Sequence, residues 1–250
     1  SPVYAKERTT DKYVIKDVRK GNIPVYDPRF VTIFPRMWNS QSSSYERNYR
    51  EWSEMKGKPL VINGPSGQET VYVPTFRENL RYFFRYQLNY MYFRYFMWNF
   101  AGRQNDRQGF GGPLDGNWIS EIPFIDQARL GPRDNLPESQ QGMGRNQYYL
   151  LPLLLGLAGL FYQSKHNYRD ALVVALLFAM TGIAIVIYLN QHAYQPRERD
   201  YAYAASFYAF AIWIGLGVAG IWKLLQKALR PAAAGIVATG VCLIAVPGIM

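Results

Sequence analysis

Cysteine is nearly missing from this chain: among 250 residues Cys242 is the only one. An intrachain disulfide is therefore excluded. Histidine is almost as scarce, with His166 and His192 alone. So few thiols and imidazoles exclude a His/Cys zinc or iron–sulfur framework, and no metal site is read from the sequence. Residues 1–30 lack the apolar core of a secretory leader. The last scarcity is local. Residues 146–250 hold 7 of the 28 Lys and Arg and 3 of the 18 Asp and Glu. Such a charge-poor half has the composition of membrane protein, which excludes a simple soluble domain.

Four apolar stretches fill that half, about 146–163, 171–190, 201–222 and 231–250. Each approaches the roughly 20 residues a helix needs to cross ~30 Å of hydrocarbon. They predict four transmembrane helices behind an extracytoplasmic loop domain of mixed α+β character over residues 1–145. The expected fold class is thus a mainly α, polytopic membrane protein. Lys165 and Arg169 lie in the first gap, and Lys223, Lys227 and Arg230 in the third. The positive-inside rule puts both gaps in the cytoplasm. The second gap and the N-terminal half then face outward, although Arg197 and Arg199 count against this. A fragment of a longer chain is expected, with further helices before Ser1 and more chain after Met250.

In the first half, Leu60–Asn63 and Thr70–Val73 flank Gly64-Pro65-Ser66-Gly67 and predict a hairpin. The turn lacks the final glycine of a nucleophile elbow and the Gly-Lys-Ser/Thr of a phosphate loop. Val25–Trp38 reads as extended, broken by Pro28 and Pro35. Arg77–Phe100 has no proline or glycine and predicts a helix about 36 Å long. Arg77, Arg81 and Arg85 share one face of it, and Arg94 falls off that stripe. Two readings stand for this aromatic, basic helix. It lies in the membrane interface, or it is buried with its arginines paired to carboxylates. Interleaved basic and aromatic residues also suit nucleic acid, but the neighbouring apolar runs argue against that partner.

Ala101–Trp118 carries five glycines and predicts a loop. Its polar residues, Arg103, Asn105 and Asp106 among them, suit either a solvated connection or a cradle for a sugar or phosphate. Gln195-Pro196-Arg197-Glu198-Arg199-Asp200 opens the third apolar run. Two guanidinium groups at a helix N-terminus bind phosphate bidentately, which a lysine cannot copy. The alternative is anchoring, with arginines snorkelling and the acids pairing locally. Glu198 and Asp200 stand where they can shape such a site.

Two long strings carry a family resemblance. They are Met91-Tyr-Phe-Arg-Tyr-Phe-Met-Trp-Asn-Phe-Ala-Gly-Arg-Gln-Asn-Asp106 and Gln195-Pro-Arg-Glu-Arg-Asp-Tyr-Ala-Tyr-Ala-Ala-Ser-Phe-Tyr-Ala-Phe-Ala-Ile-Trp213. Both resemble bacterial multi-span membrane proteins long grouped only as a domain of unknown function. That family is similar to the animal transmembrane protein O-mannosyltransferases. The resemblance implies a C-fold glycosyltransferase in the bacterial inner membrane, with its active site facing the periplasm. It implies a polyprenyl-phosphate sugar donor, mannose by analogy, and Ser or Thr of exported proteins as acceptors. A catalytic carboxylate is expected upstream of Ser1, so none is assigned. Chemistry then suggests Arg197 and Arg199 for the donor phosphate. Arg103, Asn105, Asp106, Glu198 and Asp200 are expected to shape the site. Rival readings are a ligase or polymerase acting on lipid-linked glycans, and a non-catalytic membrane assembly or transport subunit.

Overall fold

The computed structural model describes residues 3–7, 9, 12–17, 28–32, 38, 42–64, 67–109, 111–132, 144–195, 199–246 and 248. The chain forms two compact units, residues 1–34 and 35–250. In the first, strands Val3–Lys6 (β1) and Tyr13–Asp17 (β2) pair antiparallel, with Tyr4 opposite Ile15. Pro28–Phe30 adds one 3-10 turn.

The second unit opens with helix Ser43–Ser53 (α1), whose first turn is capped by the Ser42 hydroxyl. Glu54 ends it in the left-handed conformation. Strands Lys58–Gly64 (β3) and Gly67–Val73 (β4) then form the expected hairpin, with Leu60 opposite Val71. Next comes a long helix in three parts: Phe76–Tyr82 (α2), a π-helical segment Phe83–Phe93, and Arg94–Phe100 (α3). Thr75 and Glu78 form a capping box at its start. The two-residue strands Gly102–Arg103 (β5) and Asn146–Gln147 (β6) pair across the loop region. Helix Pro123–Leu130 (α4) lies between them in sequence. Four apolar helices follow: Leu151–His166 (α5), Tyr168–Thr181 (α6), Ile183–Leu189 (α7) and Ala204–Leu225 (α8). A 3-10 turn, Asp200–Tyr203, leads into α8, and Pro231–Ala245 (α9) closes the set.

The expected four-span polytopic architecture needs correction. Among the described residues, two helices are long and apolar enough to cross a membrane: Tyr168–Leu189, formed by α6 and α7, and Asp200–Leu225. Only 11% and 28% of their apolar windows are buried, so most of that surface is uncovered. The other two apolar runs make shorter helices. Tyr149 and Leu150 have positive φ, which delays the start of α5 to Leu151. Its 16 residues span about 24 Å, and they end in the polar Gln163-Ser164-Lys165-His166. Helix α9 stops after 15 residues, where Val246 leaves helical geometry. Hydropathy counts apolar residues in a row; it does not register where the backbone begins and ends a helix. The expected boundary at 145/146 falls inside the second unit, where β5 pairs with β6 and α3 packs on α5.

Two aromatic cores lie along the long helix. Tyr49, Tyr82, Tyr86, Tyr90, Met91 and Ala193 form one, joining α1 to the connection after α7. Phe96, Met97, Phe100, Ala101, Phe210 and Trp213 form the other, joining α3 to α8. Helix α8 also packs closely along α5. A Cβ on Gly159 would collide with the backbone of Trp213 and Gly217, and one on Gly156 with the Phe210 ring. These glycines let the two helices approach backbone to backbone. Trp213 Nε1 donates to Gln163 Oε1 at 2.8 Å across the same pair.

Candidate functional site

The sequence left the basic stripe of the long helix with two readings, and the structure pairs two of its three arginines. Arg81 Nη1 lies 2.9 Å from Glu54 Oε2 and donates to the Ser53 carbonyl at 3.2 Å. Arg85 also pairs with Glu54, whose carboxyl is held below its usual range by the Arg85 hydrogen bond and charge, then by Arg81. Arg77 remains exposed. Arg94, off the stripe, is only 3% exposed. Its guanidinium sits 4.0 Å from the Tyr90 ring, 4.6 Å from Tyr95 and 5.0 Å from Trp98. Arg94 Nη1 donates to the Gly116 carbonyl at 3.0 Å, which fixes the glycine-rich loop on the helix.

The π-helical segment helps aim this region. Arg94 N–H donates to the Asn89 carbonyl five residues back, so the turn is widened. Asn89, Tyr90 and Arg94 line a cleft of about 560 Å³. Trp52 of α1 lines it too, as does the loop at Gly111–Pro113. Gly111 has a φ of 89° and would bring any Cβ within 2.9 Å of the Trp52 ring, so only glycine fits between loop and indole. Across the cleft, the Arg129 guanidinium stacks 3.6 Å from the Trp118 ring. Burial pulls the Arg129 pKa down and Asp126 acts against it; the group stays charged at neutral pH. Asp126, only 1% exposed, accepts from the backbone N–H of Ser120 and Glu121 and from the Ser120 hydroxyl. These bonds hold the turn that presents Trp118.

The cleft therefore has aromatic walls, two guanidinium groups and the amides of Asn89 and Asn117. Flat apolar rings beside amide and guanidinium donors suit a sugar ring, whose faces are apolar and whose rim is hydroxyls. Among the described residues that line it, none is a carboxylate, histidine or cysteine. The lining can bind and orient, while acid–base work needs groups from elsewhere.

The expected site residues separate into several kinds. Asn105 is buried and ties the loop together: its Nδ2 donates to the Leu114 carbonyl at 2.9 Å, and its Oδ1 accepts from Gly116 N–H at 2.8 Å. Arg103 Nε donates to the Gly144 carbonyl at 2.7 Å, and its guanidinium lies 5.4 Å from the Trp98 ring. Asp106 is exposed and packs its Cβ beside Gly144. None of the three is among the residues that line the cleft. Arg199 and Asp200 are exposed at the start of the second long apolar helix. Arg197 and Glu198 lie outside the described residues.

The connection before Arg199 is anchored from the long helix. Tyr82 and Tyr86 hydroxyls donate to the Gln191 and His192 carbonyls, both at 3.3 Å. Gln87 Nε2 donates to the Gln191 carbonyl and to Asn190 Oδ1, each at 3.0 Å. Gln108 of the glycine-rich loop donates to the Gln195 carbonyl at 3.2 Å. Burial, then the Arg199 charge, lowers the His192 pKa. Gln191 is 5% exposed, and neither of its side-chain polar atoms has a partner among the described residues.

Sequence reasoning missed Trp52, Asn89, Asn117, Trp118 and Arg129. A usable signal existed only for Arg94, whose departure from the exposed stripe placed it on the buried face. A family described as a family of unknown function (DUF8416) matches residues 1–84. The match ends just inside the π-helical segment, before most of the cleft. No curated protein and no solved structure matches this chain.

Proposed function

We propose that this chain is part of a membrane glycosyltransferase. In this reading it moves a sugar, mannose by the family resemblance, from a polyprenyl phosphate to Ser or Thr of exported proteins. One observation carries the reading: the two strings behind the resemblance, about a hundred positions apart in sequence, pack against each other. Tyr92 donates to Ser206 Oγ at 3.2 Å and meets the Tyr203 ring edge-on at 5.4 Å. Phe96 and Phe100 lie 4.9 and 4.7 Å from Phe210. The two strings thus form one structural element rather than two separate anchors.

The sugar lies in the cleft between Trp52 and the Trp118–Arg129 stack, with Asn89 and Asn117 reaching its hydroxyls. The acceptor oxygen attacks the anomeric carbon as the bond to the phosphate oxygen breaks. The acceptor proton goes to a carboxylate base that is not among the cleft-lining residues. Arg197 and Arg199 hold the departing lipid phosphate, whose charge grows in the transition state. The chain sits in the bacterial inner membrane and crosses it through Tyr168–Leu189 and Asp200–Leu225. Lys165, Arg169, Lys223, Lys227 and Arg230 mark the cytoplasmic side, so the 190–195 connection is periplasmic. The Tyr82 and Tyr86 bonds to it put the cleft there too. Helix α5, packed parallel to α8, leads from that side to Lys165.

The test is native mass spectrometry of the purified chain in detergent with added polyprenyl-phosphate mannose. Wild type retains the lipid. Arg197→Ala/Arg199→Ala and Asn89→Ala/Arg129→Ala each lose at least about tenfold of that retention, the scale of one charge-assisted contact. Wild type that holds no donor, or variants that hold it equally well, overturn the reading.

A further inference from the structure

A second recess lies at the C-terminal end of α8 and shares no lining residue with the cleft. Helices α5 and α8 leave a groove of about 450 Å³ between their C-terminal ends. Phe161, Ile221 and Leu224 are among its apolar walls. Its rim is basic: Lys165 and His166 from α5, Lys223 and Lys227 from the end of α8 and the turn after it. Phe161, Lys165, His166, Lys223, Leu224 and Lys227 are all exposed.

The rim chemistry is one-sided. His166 Nδ1 bonds the Tyr162 carbonyl at 2.9 Å, which makes that nitrogen the proton-bearing one. Its Nε2 then accepts from Lys223 Nζ. Lys165 Nζ lies 5.6 Å from the Phe161 ring. None of the three lysines has a carboxylate within ion-pair distance among the described residues. The nearest acid in sequence, Asp170, is bonded to Asn167. Three ammonium groups therefore surround the mouth of an apolar slot with no paired carboxylate among the described residues.

We infer that this groove is a binding site for an anionic phospholipid. One acyl chain lies along Phe161, Ile221 and Leu224, and the phosphate of the headgroup meets Lys165, Lys223 and Lys227. An apolar wall topped by cations complements a molecule with an apolar tail below an anion. A soluble anion would leave the wall bare, and a zwitterionic lipid would bring its own quaternary ammonium up against the three lysines. The inference rests on the membrane reading of α6–α8 and not on sugar transfer.

The experiment uses the whole chain in nanodiscs of equal phosphatidylcholine and phosphatidylglycerol with identical acyl chains. Lipids retained on the protein are counted by native mass spectrometry. Wild type keeps phosphatidylglycerol over phosphatidylcholine by about tenfold, from several lysines near one phosphate. Lys165→Gln/Lys223→Gln/Lys227→Gln loses the preference. Arg169→Gln/Arg230→Gln removes charge from the same two turns but not from the groove rim, and keeps it. No preference in wild type, or equal loss in the arginine control, overturns the site. A chain that fails to enter nanodiscs at all fails the membrane reading instead, so the two failures look different.

Discussion

Between Tyr82 and Tyr90 the long helix buries tyrosines; between Phe96 and Phe100 it buries phenylalanines. Both sets of rings are buried, yet they hold their surroundings by different means. The Tyr82 and Tyr86 rings stack at 5.4 Å and the Tyr86 and Tyr90 rings at 5.7 Å. Each hydroxyl reaches a backbone carbonyl: those of Gln191, His192 and Gly109. These phenols order two loops that have little apolar surface of their own. Burial raises the Tyr82 pKa, so its phenol stays a donor at neutral pH. The phenylalanines have no polar group and meet Phe207 and Phe210 of α8, and Phe178 of α6, through ring contacts alone. The change from Tyr to Phe along one helix marks where its partners change from loops to an apolar helix.

Truncation should separate the two halves most strongly. Phe210→Ala removes a ring packed on Phe96, Phe100 and Gly156. It should cost about 3 kcal/mol, since a close-packed site collapses only in part. Thermal unfolding in detergent, followed by tryptophan fluorescence, reads the loss. Glu78→Gln comes next. Glu78 accepts from the N–H groups of Lys56, Gly57 and Thr75 at 2.8, 3.1 and 2.7 Å. Burial pushes its pKa up, but those bonds outweigh burial and bring it to about 2. The folded pKa lies below the unfolded one. Its contribution is therefore full above about pH 4.5 and is lost as pH falls toward 2. The variant should be about 2 kcal/mol less stable at pH 7 and level with wild type near pH 2. Denaturant titrations at both pH values check it.

Tyr86→Phe tests the polar half more gently. It keeps the ring stack and removes one hydroxyl, for about 1 kcal/mol. Hydrogen exchange should quicken at residues 191–195 and stay unchanged in α8. Equal quickening in both would erase the distinction between the halves. The smallest effect belongs to His192, which meets the Tyr45 ring edge-on at 4.0 Å. Its pKa is lowered in the folded chain, so the loop gains stability above about pH 6.5 and loses it as pH falls below. His192→Phe keeps the ring contact and should flatten that dependence in the same exchange measurement.

Features set by neighbouring residues were legible in the sequence. Gly64 and Gly67 marked the hairpin, and the run without proline or glycine marked the long helix. The π-helical register within it was not legible, because it depends on what Tyr82, Tyr86 and Tyr90 stack and bond with. The span count failed for a related reason: positive φ at Tyr149 and Leu150 shortens α5, and composition does not encode it. Arg81 and Arg85 could be placed on one face, but their partner Glu54 could not be named. The cleft was hidden because Trp52, Arg94, Trp118 and Arg129 come from four separate segments. Arg103, Asn105 and Asp106 sit in the right loop, but Asn105 is spent on its backbone and Arg103 on the Gly144 carbonyl.

The glycines at 156, 159 and 217 carry a consequence for how the chain is made. Helix α5 has a face of bare backbone shaped to receive α8. Roughly 50 residues separate His166, the end of α5, from Gly217, about 2.5–10 s of synthesis at ordinary ribosomal speed. For that interval α5 is complete and its partner does not exist. Whatever shelters the glycine face of α5 during those seconds must release it when Trp213 and Gly217 emerge.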